Sequence, residues 1–232
     1  MQCNICNGTE FIDIGSKKLS KCKTCTSDDR HRLLWFYLEK LNITNSTRIL
    51  HIALEPGIYN RLKELAGDNY ITADFNPSGY NFVSNCQLID LTNLESWASN
   101  EFDLIIHTHV LEHVACNIAY PLFHLHRMLK FTGTHLFIVP FMAGKYEESF
   151  RDISEEAREN RYGWHDHFRS FGREDIETHI GKILNIPNFF NALDITSKEQ
   201  LEKANIPELL WAGFNSSTVL KLKKTDYKLA TF

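Results

Sequence analysis

The chain has 232 residues, of which 43% are hydrophobic and 23% are charged, a composition typical of soluble globular proteins. This length holds one substantial α/β domain with a small appendage. No apolar run approaches the length of a membrane span, and the first residues lack the basic start and apolar core of a signal peptide, so a cytoplasmic location is expected. The formal net charge of −4 gives duplex nucleic acid little general attraction.

Two C-x-x-C pairs lie near the beginning of the sequence. The four cysteines are Cys3, Cys6, Cys22 and Cys25. Four soft thiolates at this spacing predict a tetrahedral Zn²⁺ site with no open position, so the ion would be structural. Residues 10–15 and 17–21, between the pairs, are expected to form the hairpin of a zinc ribbon. Disulfides or stray thiols are the alternative, which a reducing compartment disfavours.

A strand, a tight turn, a helix, a second strand and an acid then follow one another along the chain. Residues 49–53 form a short apolar run before a proline-glycine turn, which predicts a buried strand. A helix is expected over residues 59–65 and a strand over residues 70–73, with Asp74 at its end. This order places a ligand over a helix N-terminus and lets a carboxylate bind a ribose diol at the carboxyl edge of a parallel sheet.

The turn after the first of these strands carries fewer glycines than a dinucleotide-binding turn. A G-x-G-x-x-G segment has three, whereas the stretch from Ala53 to Gly57 has one, which favours a nucleoside without phosphates. The stretch resembles the first strand and turn of class I S-adenosylmethionine-dependent methyltransferases, which commonly read VLEIGCGTG. In that alignment His51 takes the acidic position, Ala53 and Glu55 replace the first two glycines, and Gly57 keeps the third. The resemblance implies that the backbone from Ala53 to Gly57 holds the methionine portion of the cofactor.

Two further segments resemble the same family. The helix predicted over residues 30–41 begins with an Arg-His-Arg triplet at residues 30–32, as in bacterial methyltransferases with an N-terminal zinc ribbon. The triplet either reaches the pocket or forms a solvated helix start. Residues 109–114 match the family segment H-V-L-E-H-V. The resemblance implies a zinc ribbon over residues 1–28 and a methyltransferase domain over residues 29–232, with a Rossmann-like, seven-stranded, mostly parallel sheet flanked by helices.

Acidic side chains at the ends of two predicted strands supply the expected cofactor contacts. Asp74, with Phe75 beside it, matches the family position that holds the ribose hydroxyls. A third strand is predicted over residues 87–91, and Asp90 and Leu91 at its end match the position that contacts the adenine amino group. An Asx-turn or an N-cap at a loop is the alternative for Asp90.

A fourth predicted strand leads into the expected pocket wall, which includes His107 and His109. A helix is predicted to begin at Val110, so that Glu112 and His113 lie in its first turn beside the pocket. His113 is either a structural group or a catalytic one. The remaining predicted elements are a helix over residues 120–129, a turn over 131–133, a strand over 134–140, a helix over 175–183, and strands over 189–195 and 217–223.

An insertion over residues 141–173 is expected to form an acceptor lid, as is common in methyltransferases of this architecture. Its D-H-x-R-x-x-G string, which begins at Asp166, resembles that of relatives with a zinc ribbon. Histidines and an arginine beside aromatic residues suit a general base and an anion clamp. The candidates for the base are His167, then His109, then His113, and the candidate clamp is Arg169. The alternative is a second metal site formed by three adjacent residues, His165, Asp166 and His167.

The expected function is methyl transfer from S-adenosylmethionine to a small polar or anionic acceptor, such as a sugar or a surface-glycan precursor. The methyl group of a sulfonium is already activated, so the protein mainly has to align the reactants and exclude water. Transfer to oxygen and transfer to nitrogen both stay open. One alternative is an RNA or protein acceptor that docks on four ribbon lysines, Lys17, Lys18, Lys21 and Lys23. The other is a non-catalytic scaffold of the same fold, because the turn has lost glycines.

Overall fold

A computed structural model describes residues 1–228 and shows an α/β protein built on one main sheet. The strands are β1 (Phe11–Ile14), β2 (Lys17–Cys22), β3 (Ile49–Ile52), β4 (Tyr70–Asp74), β5 (Cys86–Leu88), β6 (Phe102–Thr108), β7 (Leu129–Ile138), β8 (Phe141–Met142), β9 (Glu147–Glu148), β10 (Arg169–Gly172) and β11 (Val219–Lys223). The main sheet has the spatial order β11-β7-β6-β3-β4-β5, in which β11 is antiparallel to β7 and all other neighbours are parallel. The expected Rossmann-like, mostly parallel sheet is confirmed, with six strands in place of seven.

The helices lie mostly between the strands of the main sheet. They are α1 (Asp29–Leu38), α2 (Pro56–Ala66), α3 (Ala119–Met128), α4 (Glu155–Tyr162), α5 (Ile180–Ile183) and α6 (Lys198–Lys203). Short 3-10 turns cover Gly67–Asn69, Pro77–Gly79, Leu111–His113, Ile176–Thr178, Ala192–Asp194, Glu208–Leu210 and Lys224–Asp226. Within residues 1–228, none of the helices has both the length and the apolar character needed to cross a bilayer.

The two faces of the main sheet bury separate sets of apolar side chains, because neighbours along a strand point to opposite sides. In β3, Ile49 belongs to one set and Leu50 to the other. The first set includes Trp35 of α1 and Leu62 of α2, and the second includes Leu125 of α3. Strands covered on both faces read as nearly continuous apolar runs, which is why the sequence revealed them. Only the ends of such strands are free to present polar side chains to a ligand.

The N-terminal hairpin is joined to the rest of the chain through α1. β1 and β2 pair antiparallel, as predicted, and Asp28 caps the N-terminus of α1. Arg32, in the first turn of α1, is fully buried. Its guanidinium donates to the carbonyl oxygen of Ser27 on one side and to those of Ala204 and Asn205 on the other. The expectation that the Arg-His-Arg triplet is either solvated or in the pocket is therefore wrong for Arg32, which holds chain segments together.

The insertion over residues 141–173 folds as a unit of its own. β10 lies between β8 and β9 in a three-stranded sheet, and α4 precedes β10. Gly172 is required there, because an added Cβ would lie 2.1 Å from the carbonyl carbon of Lys145. The backbone N–H of Phe168 donates to the carbonyl oxygen of Glu112 at 2.8 Å. This bond fastens the insertion to the segment that follows β6, at the carboxyl edge of the main sheet.

The segment over residues 189–195, predicted as a strand, does not join the main sheet. Asn191 makes a single bridge to Ala212, and a 3-10 turn follows over Ala192–Asp194. The side-chain oxygen of Asn191 accepts a hydrogen bond from the N–H of Leu193 at 3.1 Å, so the asparagine starts a turn instead of a ladder. This local competition explains why the strand predicted over residues 189–195 is absent from the described main sheet.

Two predicted helices are shorter than expected. The helix predicted over residues 175–183 is interrupted at His179, whose φ of −116° and ψ of −94° are not helical. The helix expected from Val110 is a single 3-10 turn, Leu111–His113, after which the chain extends again. Glu112 and His113 still lie in that turn, as expected, so the change alters the length of the element and not its position.

The turn predicted over residues 131–133 lies inside β7. The register between β6 and β7 shifts there, so β7 carries extra residues as a bulge. An added Cβ on Gly133 would lie 2.9 Å from the carbonyl oxygen of Lys130 and 3.0 Å from that of Phe102. The glycine that indicated a turn therefore permits a close approach of two strands.

Candidate functional site

A cleft of about 620 Å³ opens at the carboxyl edge of the main sheet. Its walls come from the ends of β3, β4 and β6, from the loop after β5 and from the insertion. Seven residues proposed from the sequence line it: Ala53, Asp74, Phe75, Asp90, Leu91, His109 and His113. The other proposed residues of the cleft, His51, Glu55, Gly57, His107, His167 and Arg169, are not among its lining residues. The predicted residues at the strand ends therefore line the cleft, and the predicted residues in the interior do not.

Asp74 presents its carboxylate at the middle of this edge, at the end of β4. Its Oδ1 accepts a hydrogen bond from the N–H of Asn76 at 2.7 Å, and its Oδ2 accepts one from the Tyr80 hydroxyl at 2.8 Å. Because each carboxylate oxygen can accept more than one hydrogen, both can still receive ligand hydroxyls. Phe75 is 73% exposed and adds an apolar surface to the same rim. The two bonds hold the carboxylate in one orientation beside the cleft.

Asp90 forms the Asx-turn that the sequence offered as one alternative, and it also lines the cleft. Its Oδ1 accepts hydrogen bonds from the N–H and the hydroxyl of Thr92 at 2.8 and 2.7 Å, which is the Asx-turn. Its Oδ2 has no recorded hydrogen-bond partner within residues 1–228, and the residue lines the cleft. Leu91, next in sequence, is buried against the same wall. The turn thus fixes a carboxylate whose second oxygen is free for a ligand.

Two neighbouring strands end in a residue with left-handed backbone. Ala53, after β3, has a φ of 57°, and His109, after β6, has a φ of 51°. The N–H of Ala53 donates to the carbonyl oxygen of Ala73 at 3.1 Å, and that of His109 donates to Ile138 at 2.9 Å. Such backbone costs a non-glycine residue about 1–2 kcal/mol and is common at binding sites. The cleft therefore opens where the chain turns sharply at both strand ends.

The side chain of Glu55 joins a buried polar network instead of the cleft. The Nε2–H of His51 donates to Oε2 of Glu55 at 3.0 Å, and the Thr108 hydroxyl donates to Oε1. Nε2 of His31 lies 3.3 Å from Oε1. The Tyr70 hydroxyl completes the network through a hydrogen bond of 2.6 Å with Nδ1 of His51. The network ties α1 to the turn after β3 and to the end of β6.

This network gives the side chains of His51 and Glu55 a place inside the protein, while a backbone contact at Glu55 stays a prediction. Burial acts to raise the pKa of Glu55, but the charge and hydrogen bonds of His31 and His51 outweigh it and hold that pKa well below its usual range. The carboxylate is therefore charged and fully occupied by protein groups. The signal in the sequence was a glutamate at a glycine position together with a histidine in the helix start, but the sequence does not show that they meet.

His107 is wrong as a predicted contact of the cofactor, because it lies inside the sheet beneath the cleft. It is 0% exposed and packs 5.0 Å from His135 and 5.1 Å from Phe137, measured between ring centroids. Neither ring nitrogen has a hydrogen-bond partner within the described chain. Burial lowers the pKa of His107 to about 3, so the ring is neutral at physiological pH.

His109 lines the cleft but is poorly suited to act as a base. Its Nε2–H donates to the carbonyl oxygen of Ser216 at 2.8 Å, which fixes the ring against the segment before β11. Burial, helped by the charge of Arg30, lowers the pKa of His109 to about 3. A general base works best when its pKa is near the operating pH. The geometry therefore gives His109 a place in the wall of the cleft.

Two of the predicted catalytic histidines meet at one end of the cleft. The rings of His113 and His167 are 4.6 Å apart and nearly perpendicular. Nδ1 of His113 lies 3.1 Å from Oδ2 of Asp166, and the Nδ1–H of His167 donates to the carbonyl oxygen of Tyr162 at 2.9 Å. Burial lowers the pKa of each histidine, and it outweighs the opposing effect of Asp166 on His113. The insertion therefore brings His167 to the segment after β6, as the lid hypothesis requires.

Glu112 is a polar residue of this end to which the sequence reasoning gave no role. It is 0% exposed, and neither of its carboxyl oxygens has a hydrogen-bond partner within residues 1–228. Burial raises the pKa of Glu112 to about 8, although the charges of Arg30 and Arg169 act in the opposite direction. The nearest histidine contact is Nδ1 of His109, 3.8 Å from Oε1. A buried carboxyl group without partners is rare and calls for an explanation.

Arg169 does not fit the predicted role of an anion clamp. It is 0% exposed, and its guanidinium donates to the carbonyl oxygens of Leu111 and Cys116 and, at 2.9 Å, to Oε2 of Glu148. These protein acceptors occupy the whole fork of the guanidinium. Arg169 instead fastens the insertion to the 3-10 turn that carries Glu112.

The four cysteines of the ribbon come together as a metal site requires. Their Sγ atoms lie within 4.8 Å of one another, and the Cys3–Cys25 and Cys6–Cys22 sulfur distances are both 3.6 Å. Tetrahedral zinc with Zn–S bonds of about 2.3 Å would separate its sulfurs by about 3.8 Å, which fits. A disulfide would need about 2.05 Å, which does not fit. The donor set and its spacing therefore suit Zn²⁺.

The ribbon lysines do not form an open basic surface. Lys18 pairs with Asp13 at 2.8 Å and Lys23 pairs with Glu10 at 2.8 Å. A third, Lys17, lies 3.5 Å from a carboxyl oxygen of Asp29. These acids neutralise most of the charge that a nucleic acid would contact, so the structure gives the docking alternative no support.

Comparisons with known proteins identify the fold. No known family model and no curated protein matches the chain. A SAM-dependent methyltransferase from Archaeoglobus fulgidus matches with a TM-score of 0.50 and 13% identity, over 84% of this chain and 95% of that one. The CalH trans-methyltransferase complex with SAH (TM-score 0.34, 18% identity) covers 52% of this chain, and the CurJ carbon methyltransferase (0.35, 22%) covers 45%.

The lengths of these proteins differ from that of the chain. The chain spans 36% of CalH and 32% of CurJ, about a third of each. The match to the Archaeoglobus fulgidus protein extends over nearly the whole of both chains. At 13% identity, the similarity to the Archaeoglobus fulgidus protein shows the Rossmann-like fold alone, and the chemistry must be argued from the site itself.

Proposed function

We propose that the protein is an S-adenosylmethionine-dependent methyltransferase. The observation that carries this proposal is the convergence of the Ala53 turn, Asp74 and Asp90 on one cleft. They follow three neighbouring parallel strands, β3, β4 and β5, and the cleft lies where the chain order of the strands reverses between β3 and β6. Open α/β sheets bind ligands at this point. The fold that the chain shares with solved methyltransferases supports the same conclusion.

Each part of the cofactor has a matching group in the cleft. Asp74 accepts hydrogen bonds from the ribose hydroxyls, and the exposed ring of Phe75 packs on the adenine. The free Oδ2 of Asp90 and the backbone at Leu91 receive the adenine amino group. The backbone after Ala53 holds the methionine portion, while Glu55 keeps that turn in place through its buried network. The absence of a glycine-rich turn is compatible with this ligand, because it has no pyrophosphate to approach the backbone.

The acceptor is a small polar molecule that binds at the end of the cleft lined by His113 and Asp166, where the ring of His167 packs against that of His113. The cleft volume of about 620 Å³ is in the range of small-molecule sites. Phe168 and Asp166 of the insertion line this end. The polar groups there orient a hydroxyl or an amine toward the methyl group, whose transfer depends mainly on alignment and exclusion of water.

Four thiolates hold a structural zinc ion in the ribbon, because they leave it no open coordination position. The ion replaces an apolar core that so short a segment does not have. Its position matters for the cofactor site, since an added Cβ on Gly57 would lie 3.1 Å from Sγ of Cys25. The turn after β3 is therefore packed directly on the metal knuckle.

The transfer reaction can be tested with the labelled cofactor. The zinc-loaded protein is incubated with S-adenosylmethionine carrying a radioactive methyl group, together with the small-molecule, RNA or protein fraction of cells that express it. Label is expected in a new small-molecule product, and the Asp74→Asn variant is expected to form much less of it. Label that appears only in the RNA or protein fraction would contradict the small acceptor. No transfer to any fraction would favour the non-catalytic scaffold.

A further inference from the structure

The end of the cleft contains a second group of metal-ligating side chains, separate from the cysteines. Glu112, His113 and His167 each offer one ligand atom, and these atoms all lie within 4.8 Å of one another. Ligands on a single ion at bonds of about 2.1 Å are typically about 3.5 Å apart, so small side-chain rotations suffice to close the site. The group is formed by two segments, the 3-10 turn after β6 and the insertion.

Glu112 needs a partner that the described protein does not supply. Its carboxyl group is completely buried, and both oxygens are without a hydrogen bond within residues 1–228. Nearly all buried polar groups in proteins are paired, so such a carboxyl marks the place of a missing ligand. The backbone around it is fixed, because Arg169 binds the carbonyl oxygen of Leu111 and Phe168 binds that of Glu112. These two hydrogen bonds therefore hold the backbone that positions the carboxyl group of Glu112.

Each of the two histidines has one ring nitrogen next to a protein oxygen, as histidines that bind metals usually do. The Nδ1 atom of His167 is engaged by the carbonyl oxygen of Tyr162, and the Nδ1 atom of His113 is engaged by the carboxylate of Asp166. Nε2 of each ring has no recorded hydrogen bond within the described residues. A carbonyl or carboxylate on the far nitrogen fixes the tautomer and raises the basicity of the nitrogen that binds the ion.

We propose that Glu112, His113 and His167 bind a divalent transition-metal ion at the acceptor end of the cleft. Two imidazoles and one carboxylate suit Zn²⁺, Fe²⁺, Mn²⁺, Co²⁺ or Ni²⁺ and leave open coordination positions for exogenous ligands. Of the three ligands, His113 lines the cleft, so the site lies next to the cleft. The site differs from the ribbon site in both ligands and role, since four thiolates enclose their ion.

The role of the ion in methyl transfer rests on the proposed function, whereas binding of the ion to the three side chains does not. An acceptor hydroxyl on the ion loses its proton to water more readily, because the metal lowers its pKa. The oxygen lone pair then forms the bond to the methyl carbon, and the sulfonium sulfur keeps the electrons of the bond that breaks. The two histidines bind the ion in this scheme, so neither of them needs to act as a free base.

Cobalt binding tests the site without cofactor or acceptor. The full-length protein is purified with zinc and treated with a weak chelator until one zinc per chain remains in the cysteine site. Titration with Co²⁺ is expected to fill one further site per chain, with visible absorption typical of nitrogen and oxygen ligands and without the intense bands of thiolate ligands. Glu112→Gln and His167→Gln are each expected to weaken this binding at least about tenfold.

His165→Gln is the matched control, because His165 is adjacent to Asp166 in the chain but lies outside the metal-binding group. This variant should bind Co²⁺ as tightly as the wild type does. Glu112→Gln should remain folded, since the carboxyl makes no hydrogen bond to lose, and its melting curve checks this. Absence of a second Co²⁺ in the wild type, or equal binding by folded Glu112→Gln, would overturn the proposal. Either result leaves binding of S-adenosylhomocysteine, measured separately, as an independent test of the proposed function.

Discussion

Single residues at the strand ends carry most of the chemistry of the cleft, and Ala53 shows what this position costs. Its φ of 57° lies in the left-handed region, which glycine adopts without a steric penalty. We expect Ala53→Gly to raise the free energy of unfolding by about 1 kcal/mol. Chemical denaturation measures the change.

The control for Ala53→Gly is Ala157→Gly, because Ala157 lies in α4, where the backbone is helical. There glycine should lower the free energy of unfolding by about 0.5–1 kcal/mol. If Ala53→Gly, like Ala157→Gly, lowered the free energy of unfolding, the left-handed turn would not be strained by its alanine.

Burial of His107 in the core makes the stability of the protein depend on pH. Its folded-state pKa of about 3 lies below the unfolded value of about 6.5, so the unfolded chain binds the proton first as the pH falls. The stability that neutral His107 contributes is present above about pH 6.5 and is lost progressively down to about pH 3. The groups that face it include His135, His51 and Glu55.

We expect His107→Leu to reduce the pH dependence of stability. Between about pH 7 and pH 5 the wild type should lose about 2 kcal/mol on account of this histidine, and the variant should not. At neutral pH the variant should be as stable as the wild type or about 1 kcal/mol more stable, because it removes two unpaired buried nitrogens. Urea unfolding at both pH values measures this, and an unchanged pH dependence in the variant would contradict it.

At the scale of elements, the side chain of Arg169 and the backbone N–H of Phe168 attach the insertion to the segment after β6. Arg169 of β10 reaches the carbonyl oxygens of Leu111 and Cys116 and the carboxylate of Glu148, and no water can replace these bonds in a fully buried site. We expect Arg169→Lys to lower the free energy of unfolding by about 3 kcal/mol, because a lysine cannot reproduce the planar fork.

The matched control for Arg169→Lys is Arg161→Lys. Arg161 pairs with Glu147 at the surface, where both side chains are nearly half exposed. This substitution should cost less than about 0.5 kcal/mol. Equal costs for the two substitutions, in thermal or chemical unfolding, would show that Arg169 does not hold the insertion.

The cysteine-containing N-terminal segment and the turn after β3 are a second pair of elements in contact. Gly57 packs on Cys25, and His31 of α1 lies 3.3 Å from Glu55, so loss of the metal would disturb the turn after β3. We expect removal of zinc by a strong chelator to lower the melting temperature and to weaken binding of S-adenosylhomocysteine more than about tenfold. Restored zinc should reverse both effects, and an unchanged affinity in folded, zinc-free protein would disprove the coupling.

For the whole molecule, the sequence predicted what depends on local pattern. Apolar runs revealed the parallel strands, and parallel strands end at one edge, so Asp74, Asp90, His109 and His113 could be expected in one cleft. Cysteine spacing likewise predicted that the four thiol groups come together. These features follow from periodicity and spacing, which need no knowledge of distant contacts.

Features that depend on distant contacts could not be predicted. Glu55 stood at a glycine position and looked like a cofactor contact, but its histidine partners come from α1 and β3. Arg169 looked like a clamp for a ligand until its carbonyl acceptors, far away in sequence, were known. Asn191 ended a predicted strand through a bond to its own backbone neighbour, which competes with the ladder.

The central claim is that the cleft at the carboxyl edge binds S-adenosylmethionine, and calorimetric titration with S-adenosylhomocysteine tests it most directly. The zinc-loaded wild type should bind one molecule per chain, and Asp74→Ala should bind at least about tenfold more weakly. Asp68→Ala, at the opposite end of the same strand, should bind like the wild type. No binding by the wild type, or equal binding by Asp74→Ala, would contradict the claim.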